Sequence, residues 1–158
     1  MSDYYDPARQ ISYLQQSLSQ DKKPLGLFLG AGCPLSIKSA NDEPLIPDIA
    51  GITKIVCEHL KSSQCLKQVL DHFKQDGRAE QNVEDILSHI RALRTVAGKD
   101  AVRGLKADEL DNLDSEICGH IHELANKTLP NNETAYHRVA AWVDAGARTL
   151  PVELFTTN

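Results

Sequence analysis

Pro24-Leu25-Gly26-Leu27-Phe28-Leu29-Gly30-Ala31-Gly32-Cys33-Pro34 is the stretch on which the reading of this chain turns. Leu25 to Leu29 is a short, almost wholly apolar run, which predicts a strand buried on both faces. It ends in Gly30 and Gly32, residue types able to take backbone angles closed to others. A loop without bulky side chains lets backbone N–H groups approach a phosphate closely, and a helix starting directly afterwards adds the dipole of its N-terminus. The same residues also make a tight strand-to-helix turn with no ligand, because a lone Gly-x-Gly is a weak signal.

The sequence around the loop narrows the choice. A dehydrogenase fingerprint requires a third glycine or alanine where Leu35 stands, and no second strand ending in an acid comes after it at the usual distance. There is no Gly-Lys-Ser/Thr either, which removes the Walker pattern. Instead the chain runs through Pro44-Leu45-Ile46-Pro47-Asp48 into Gly51-Ile52-Thr53, the start of an amphipathic run. Much later a second apolar strand, Val152-Glu153-Leu154-Phe155, leads into Thr156-Thr157-Asn158.

These three pieces, in this order, resemble the sirtuin family, and more closely the sirtuin-like domains of bacterial anti-phage defence proteins. That family carries Gly-Ala-Gly-x-Ser after its first strand, Ile-Pro-Asp shortly beyond it, and Thr-Gln-Asn or Thr-Thr-Asn at a later strand end. Here they are Gly30-Ala31-Gly32-Cys33 with Pro34 in the serine position, Ile46-Pro47-Asp48, and Thr156-Thr157-Asn158. The resemblance implies a Rossmann-like parallel sheet in which the glycine loop binds the pyrophosphate of NAD. It also implies that the segment around Pro47 and Asp48 lies against ribose and nicotinamide, that Thr156 and Thr157 bind the cofactor, and that Asn158 orients the ribose and the attacking water. The family's general-base histidine falls beyond residue 158, so none of the six histidines takes that role. Ile49 and Ala50 replace the Phe-Arg of deacylating members, and no paired cysteines of a zinc module are present, so the implied activity is NAD hydrolysis without a metal. The defence-associated relatives deplete NAD on infection. They work as oligomers with a second effector subunit, such as a translocase ATPase. Pro34 removes one hydroxyl contact from the phosphate loop.

Composition sets outer bounds. With 158 residues, 41% of them hydrophobic, the chain is long enough to bury a core, and a single domain is the prior. A formal charge of −5 argues against a nucleic-acid-binding surface. Four cysteines, Cys33, Cys57, Cys65 and Cys118, form no Cys-x-x-Cys pair, so neither a zinc ribbon nor a disulfide framework is indicated, and a reduced cytoplasm suits them. No apolar run approaches a membrane span and no charged-then-apolar leader opens the sequence, so a soluble, cytoplasmic protein is expected.

Taken in order, Asp6-Pro7 predicts a capped helix with Ile11, Leu14 and Leu18 on one face, packed beside the first strand. Ser36 to Pro47 reads as a loop, either over a ligand or as an ordinary surface excursion. Gly51 to Lys61 predicts a helix through Ile52, Ile55, Val56 and Leu60. A second runs through Leu66, Val69, Leu70 and Phe73, stopped at Asp76-Gly77. Asn82 caps a third, with Val83, Ile86, Leu87, Ile90 and Leu93 as its stripe. Glu84 and Asp85 look like paired catalytic acids, but acids in a first turn more simply complement the helix dipole. Ala97 to Ala107 is a looser connection. Leu110, Leu113, Ile117, Ile121 and Leu124 then make a long helix, on which His120-x-His122 invites a metal reading that its spacing disfavours, since positions two apart face different ways. Asn131 and Asn132 start a last helix with Tyr136, Val139, Ala140 and Val143 inward, His137 as an ordinary histidine and Trp142 as a packing residue.

The expectation is therefore an α/β fold, a Rossmann-like parallel sheet with a large helical insertion over about residues 50–150, cut after a strand. Residues 1–158 would be the N-terminal part of a sirtuin-like domain and inactive alone. Two alternatives stay open: a non-catalytic module that senses NAD or ADP-ribose and gates a partner, and a helical assembly scaffold whose glycine loop is only a turn.

Overall fold

The computed structural model of the chain describes residues 6–39, 41–78 and 80–157. Among them it is a mixed α/β protein with six α-helices and a two-stranded parallel sheet. Contacts divide the described residues into two units, split between Ile37 and Lys38 and again between Leu129 and Pro130.

The first unit holds α1 (Pro7–Leu18), β1 (Leu25–Leu29), α6 (Ala135–Ala145) and β2 (Val152–Thr156). The Asp6 carboxylate accepts from the Ala8 and Arg9 N–H groups, with Pro7 in the first turn, so the expected cap is present. The carboxyl end of α1 is tied to the approach to β2. The Arg148 guanidinium donates to the Leu18 and Gln20 carbonyl oxygens while lying over the Trp142 ring, and the Thr149 N–H and hydroxyl both donate to the Asp21 carbonyl. Two expectations fail. Ile11 and Leu14 of α1 are exposed, and β1 is not buried on both faces: Leu25, Leu27 and Leu29 are half-buried, whereas Phe28 is 70% exposed. An apolar run marks a strand but does not say how many of its faces are covered. Phe155 of β2 lies over Gly26, where a Cβ would stand 3.2 Å from its ring. The last helix also starts later than Asn131-Asn132. Thr134 is its N-cap, paired with His137 in a capping box, and of the four expected inward residues Tyr136 and Val143 are half-buried while Val139 and Ala140 are exposed.

The second unit is helical: α2 (Ile49–His59), α3 (Gln64–Gln75), α4 (Val83–Ala97) and α5 (Ala107–Ala125). Its core matches the predicted stripes: Leu66, Val69 and Phe73 from α3, Ile86, Ile90 and Leu93 from α4, Leu110, Leu113 and Ile117 from α5. Each such side chain contributes about 1.5–3 kcal/mol when fully buried. Caps set the register. The Asn82 side chain accepts from the Glu84 and Asp85 N–H groups, and the Asp85 carboxylate accepts from the Asn82 N–H, so Asp85 closes a capping box instead of acting as a paired acid. The Thr53 hydroxyl donates to the Ile49 carbonyl and accepts from the Val83 N–H at 2.9 Å, which ties α2 to the start of α4. Gly77, at φ +73, ends α3 as expected. Arg91–Asp114 and Arg94–Asp111 bridge α4 to α5 on the surface, each worth about 0.2–1 kcal/mol.

The looser connection between α4 and α5 closes in a tight turn. Val102 and Leu105 exchange backbone hydrogen bonds at 2.9 and 3.1 Å around Arg103 (φ 51) and Gly104 (φ 84). Positive φ at both central residues is the geometry of a two-residue hairpin turn, costly at a non-glycine such as Arg103. Leu105 leaves the turn directly into the core, 2% exposed. No helix among the described residues is long and apolar enough to cross a membrane.

Candidate functional site

β1 and β2 are parallel neighbours in the register Leu25↔Val152 to Leu29↔Thr156, and the Thr157 N–H donates to the Leu29 carbonyl at 3.4 Å. Both strands therefore leave the sheet at one carboxyl edge. Gly30, Ala31, Gly32 and Cys33 emerge there from β1, and Thr156 and Thr157 from β2, although 126 residues separate Gly30 from Thr156 in the sequence. Asn158 lies outside the described residues.

The loop differs from its expected form in two ways. Neither Gly30 nor Gly32 is in the left-handed region; Gly32 sits at φ −78, ψ −10, open to any residue. The loop then enters a single four-residue 3-10 turn, Cys33–Ser36, with Pro34 in its first turn, and not an α-helix with a macrodipole. The turn is closed by the Cys33 N–H on the Gly30 carbonyl, Leu35 N–H on Gly32 and Ile37 N–H on Pro34. Ala31 and Gly32 are exposed, and among the described residues their N–H groups have no acceptor within the chain. A Cβ built on Gly30 or Gly32 meets nothing within 4 Å, so open space flanks this backbone. Burial first and the Cys33 thiol second push the Tyr136 phenol of α6 above the usual phenol value.

Pro47 and Asp48 belong to the second unit. The Asp48 carboxylate is the N-cap of α2, accepting from the Gly51 N–H at 2.8 Å, which starts that helix two residues before the expected Gly51. Pro47 and Gly51 are in tight contact, a Cβ on Gly51 meeting Pro47 at 2.9 Å, and together with Pro44, Ile55 and His59 they line an open cleft. Asp48→Ala is expected to lower unfolding stability by about 1 kcal/mol through loss of the cap, and Asp48→Asn, an equally good cap, to leave it unchanged, as read by urea denaturation. An Asp48→Asn protein that folds normally then isolates any role of the carboxylate charge toward a ligand.

Several of the remaining titratable groups have structural partners. The His137 Nδ1 accepts from the Thr134 N–H and pairs with the Thr134 hydroxyl at 2.8 Å, so this histidine holds the start of α6. His120 contacts the His59 ring and Glu123, while His122 is exposed, in line with their opposite-facing spacing. Burial pushes the Cys57 and Cys118 thiols up, and burial together with Glu109 and Glu116 pushes Cys65 to about 11, so these three thiols are poor nucleophiles. The polar cluster that the sequence did not reveal is His72, His89, Arg103 and Asp76, drawn from α3, α4 and the turn between α4 and α5. No protein-family model matches this chain, and neither does any curated protein.

Proposed function

We propose that this chain carries the nucleotide-binding edge of a Rossmann-like, sirtuin-like domain that hydrolyses NAD. The observation that carries the reading is the parallel β1–β2 pairing, which sets the glycine loop and Thr156–Thr157 side by side at a carboxyl edge, where open α/β sheets bind their ligands. The loop suits a pyrophosphate in chemistry as well as in place. It offers the exposed N–H groups of Ala31 and Gly32, with no Cβ at Gly30 or Gly32 to hold a ligand off.

In this reading Gly30 to Cys33 hold the pyrophosphate, Thr156 and Thr157 the ribose, and Asn158 the ribose and water. Water adds to C1′ of the ribose, nicotinamide leaves with the electrons of the glycosidic bond, and the proton lost by water goes to solvent, giving nicotinamide and ADP-ribose. Positive charge grows on the ribose as the bond breaks, so positioning and electrostatic stabilisation supply most of the rate. The exposed cross-strand neighbours Phe28 and Phe155, with Leu154 exposed on the other face of the sheet, support an assembled state, with further copies or an effector subunit such as a translocase ATPase, because exposed apolar side chains grouped on a sheet mark interaction surfaces.

The exposed Ala31 and Gly32 N–H groups would serve equally in a second reading, in which the site binds NAD or ADP-ribose and signals without turnover. Incubating the intact protein with NAD, with and without an acylated peptide, separates these readings. Nicotinamide release without peptide supports hydrolysis, and release only with peptide makes it a deacylase. Calorimetric binding without release supports sensing. Absence of both binding and release refutes the nucleotide site.

A further inference from the structure

His72, on the inner face of α3, is 5% exposed and has a polar partner at each ring nitrogen. Its Nε2 lies 3.1 Å from the Arg103 carbonyl oxygen; a carbonyl only accepts, so Nε2 carries the proton. In the neutral ring Nδ1 is then the lone-pair nitrogen, and it faces Nε2 of His89 on α4 at 3.3 Å, so His89 is the donor. The neutral pair is thereby fixed with Nε2–H on both rings.

The carbonyl that His72 holds belongs to the residue the turn strains. Arg103 sits at φ 51 between Val102 and Leu105, and its guanidinium binds the Asp76 carboxylate through two bonds of 2.9 and 3.0 Å. The turn is thus held to the end of α3 in two ways, by an ion pair that persists over the physiological pH range and by the His72 Nε2–H on the Arg103 carbonyl, from a ring whose orientation is set by the His89 bond to its unprotonated Nδ1. Among the described residues the charged groups bearing on the two rings are Asp76, Arg78 and Arg103. Asp76 alone favours a proton there, and it is already paired with Arg103.

A first proton enters at Nδ1 of His89, which leaves the bond to His72 in place but sets a cation among Arg103 and Arg78. A second, at Nδ1 of His72, sets two N–H groups head to head at 3.3 Å, so the rings must part. We propose that His72 and His89 form an acid-operated latch on the Val102–Leu105 turn, closed while both rings are neutral, weakened by a proton on His89 and released when both rings carry one. Burial first, then His72 and Arg103, hold His89 below the ordinary imidazole value. The opened chain therefore binds more protons than the closed one below about pH 6.5. Closure is at full strength above that pH and weakens progressively as pH falls toward the depressed His89 value.

Amide hydrogen exchange on the full chain tests this. The Val102 and Leu105 amides, which bond across the turn, are compared with Ile117 in the α5 core at pH 7.5 and 5.5, after correction for intrinsic exchange. In the wild type the ratio of turn to core exchange is expected to rise at least tenfold on acidification, and in His72→Gln/His89→Gln less than threefold. A wild-type rise below threefold, or the same rise in both proteins, overturns the latch. Imidazole nitrogen NMR on the wild type decides the matter without any variant. Both rings should be neutral Nε2–H tautomers at pH 7.5, and turn protection should be lost when the second of the two rings takes its proton. A charged His72 beside a still protected turn overturns the proposal.

Discussion

Asn158→Ala is expected to slow NAD hydrolysis by about a hundredfold or more, with a smaller change in NAD affinity, the pattern left by removing a group that acts mainly in the transition state. The residues just before it carry the expectation. Thr156 is in register with Leu29, and the Thr157 N–H bonds the Leu29 carbonyl, so these two residues lie at the edge where the glycine loop also emerges. A neutral amide there can hold a ribose hydroxyl and a water molecule in line with the breaking bond, and alanine removes both contacts while leaving the backbone unchanged. An asparagine serving only a turn behaves differently: its loss costs on the order of 1 kcal/mol of stability and leaves turnover per folded molecule unaltered. Thermal melting and single-turnover nicotinamide release on one preparation distinguish the two. An unchanged rate in a folded variant removes the catalytic assignment.

What the sequence disclosed tracked the range of the forces involved. Stripes such as Val83, Ile86, Leu87, Ile90 and Leu93 are local and periodic, and their caps at Asn82 and Asp85 lie within four residues, so α4 is legible without tertiary knowledge. The start of α6 shows the limit, because Asn131, Asn132 and Thr134 are all competent caps and only the Thr134–His137 partnership selects among them. The exposure of Phe28 depends on what covers the sheet, which strand periodicity does not encode. His72, His89 and Arg103 lie 17 and 31 residues apart in their contacts, and in the sequence His72 is merely a neighbour of Phe73. At the candidate site the glycines were legible as a backbone loop but their conformation was not. The residue type permits left-handed angles without requiring them, and Gly30 and Gly32 do not use them.

The unstrained backbone at Gly32 makes the loop testable by one added methyl group. Its angles suit alanine and a Cβ there meets nothing within 4 Å, so Gly32→Ala introduces neither strain nor overlap within the chain. By restricting the unfolded state it is expected to leave stability unchanged or raise it by about 0.4–1 kcal/mol. A methyl group at this position is felt only by something outside the described chain that lies against the backbone. If that is a pyrophosphate on the Ala31 and Gly32 N–H groups, NAD affinity is expected to fall about tenfold or more while the melting temperature holds or rises. Gly77→Ala supplies the opposite case: at φ +73 the left-handed geometry disfavours a side chain by about 1–2 kcal/mol, so the melting temperature drops while NAD affinity per folded molecule stays the same. Calorimetric titration and thermal melting of both variants should show affinity lost without stability in one and stability lost without affinity in the other. Equal NAD affinity for wild type and folded Gly32→Ala would mean that no phosphate rests on this loop, leaving Gly30-Ala31-Gly32 as the turn that carries β1 into the Cys33–Ser36 segment.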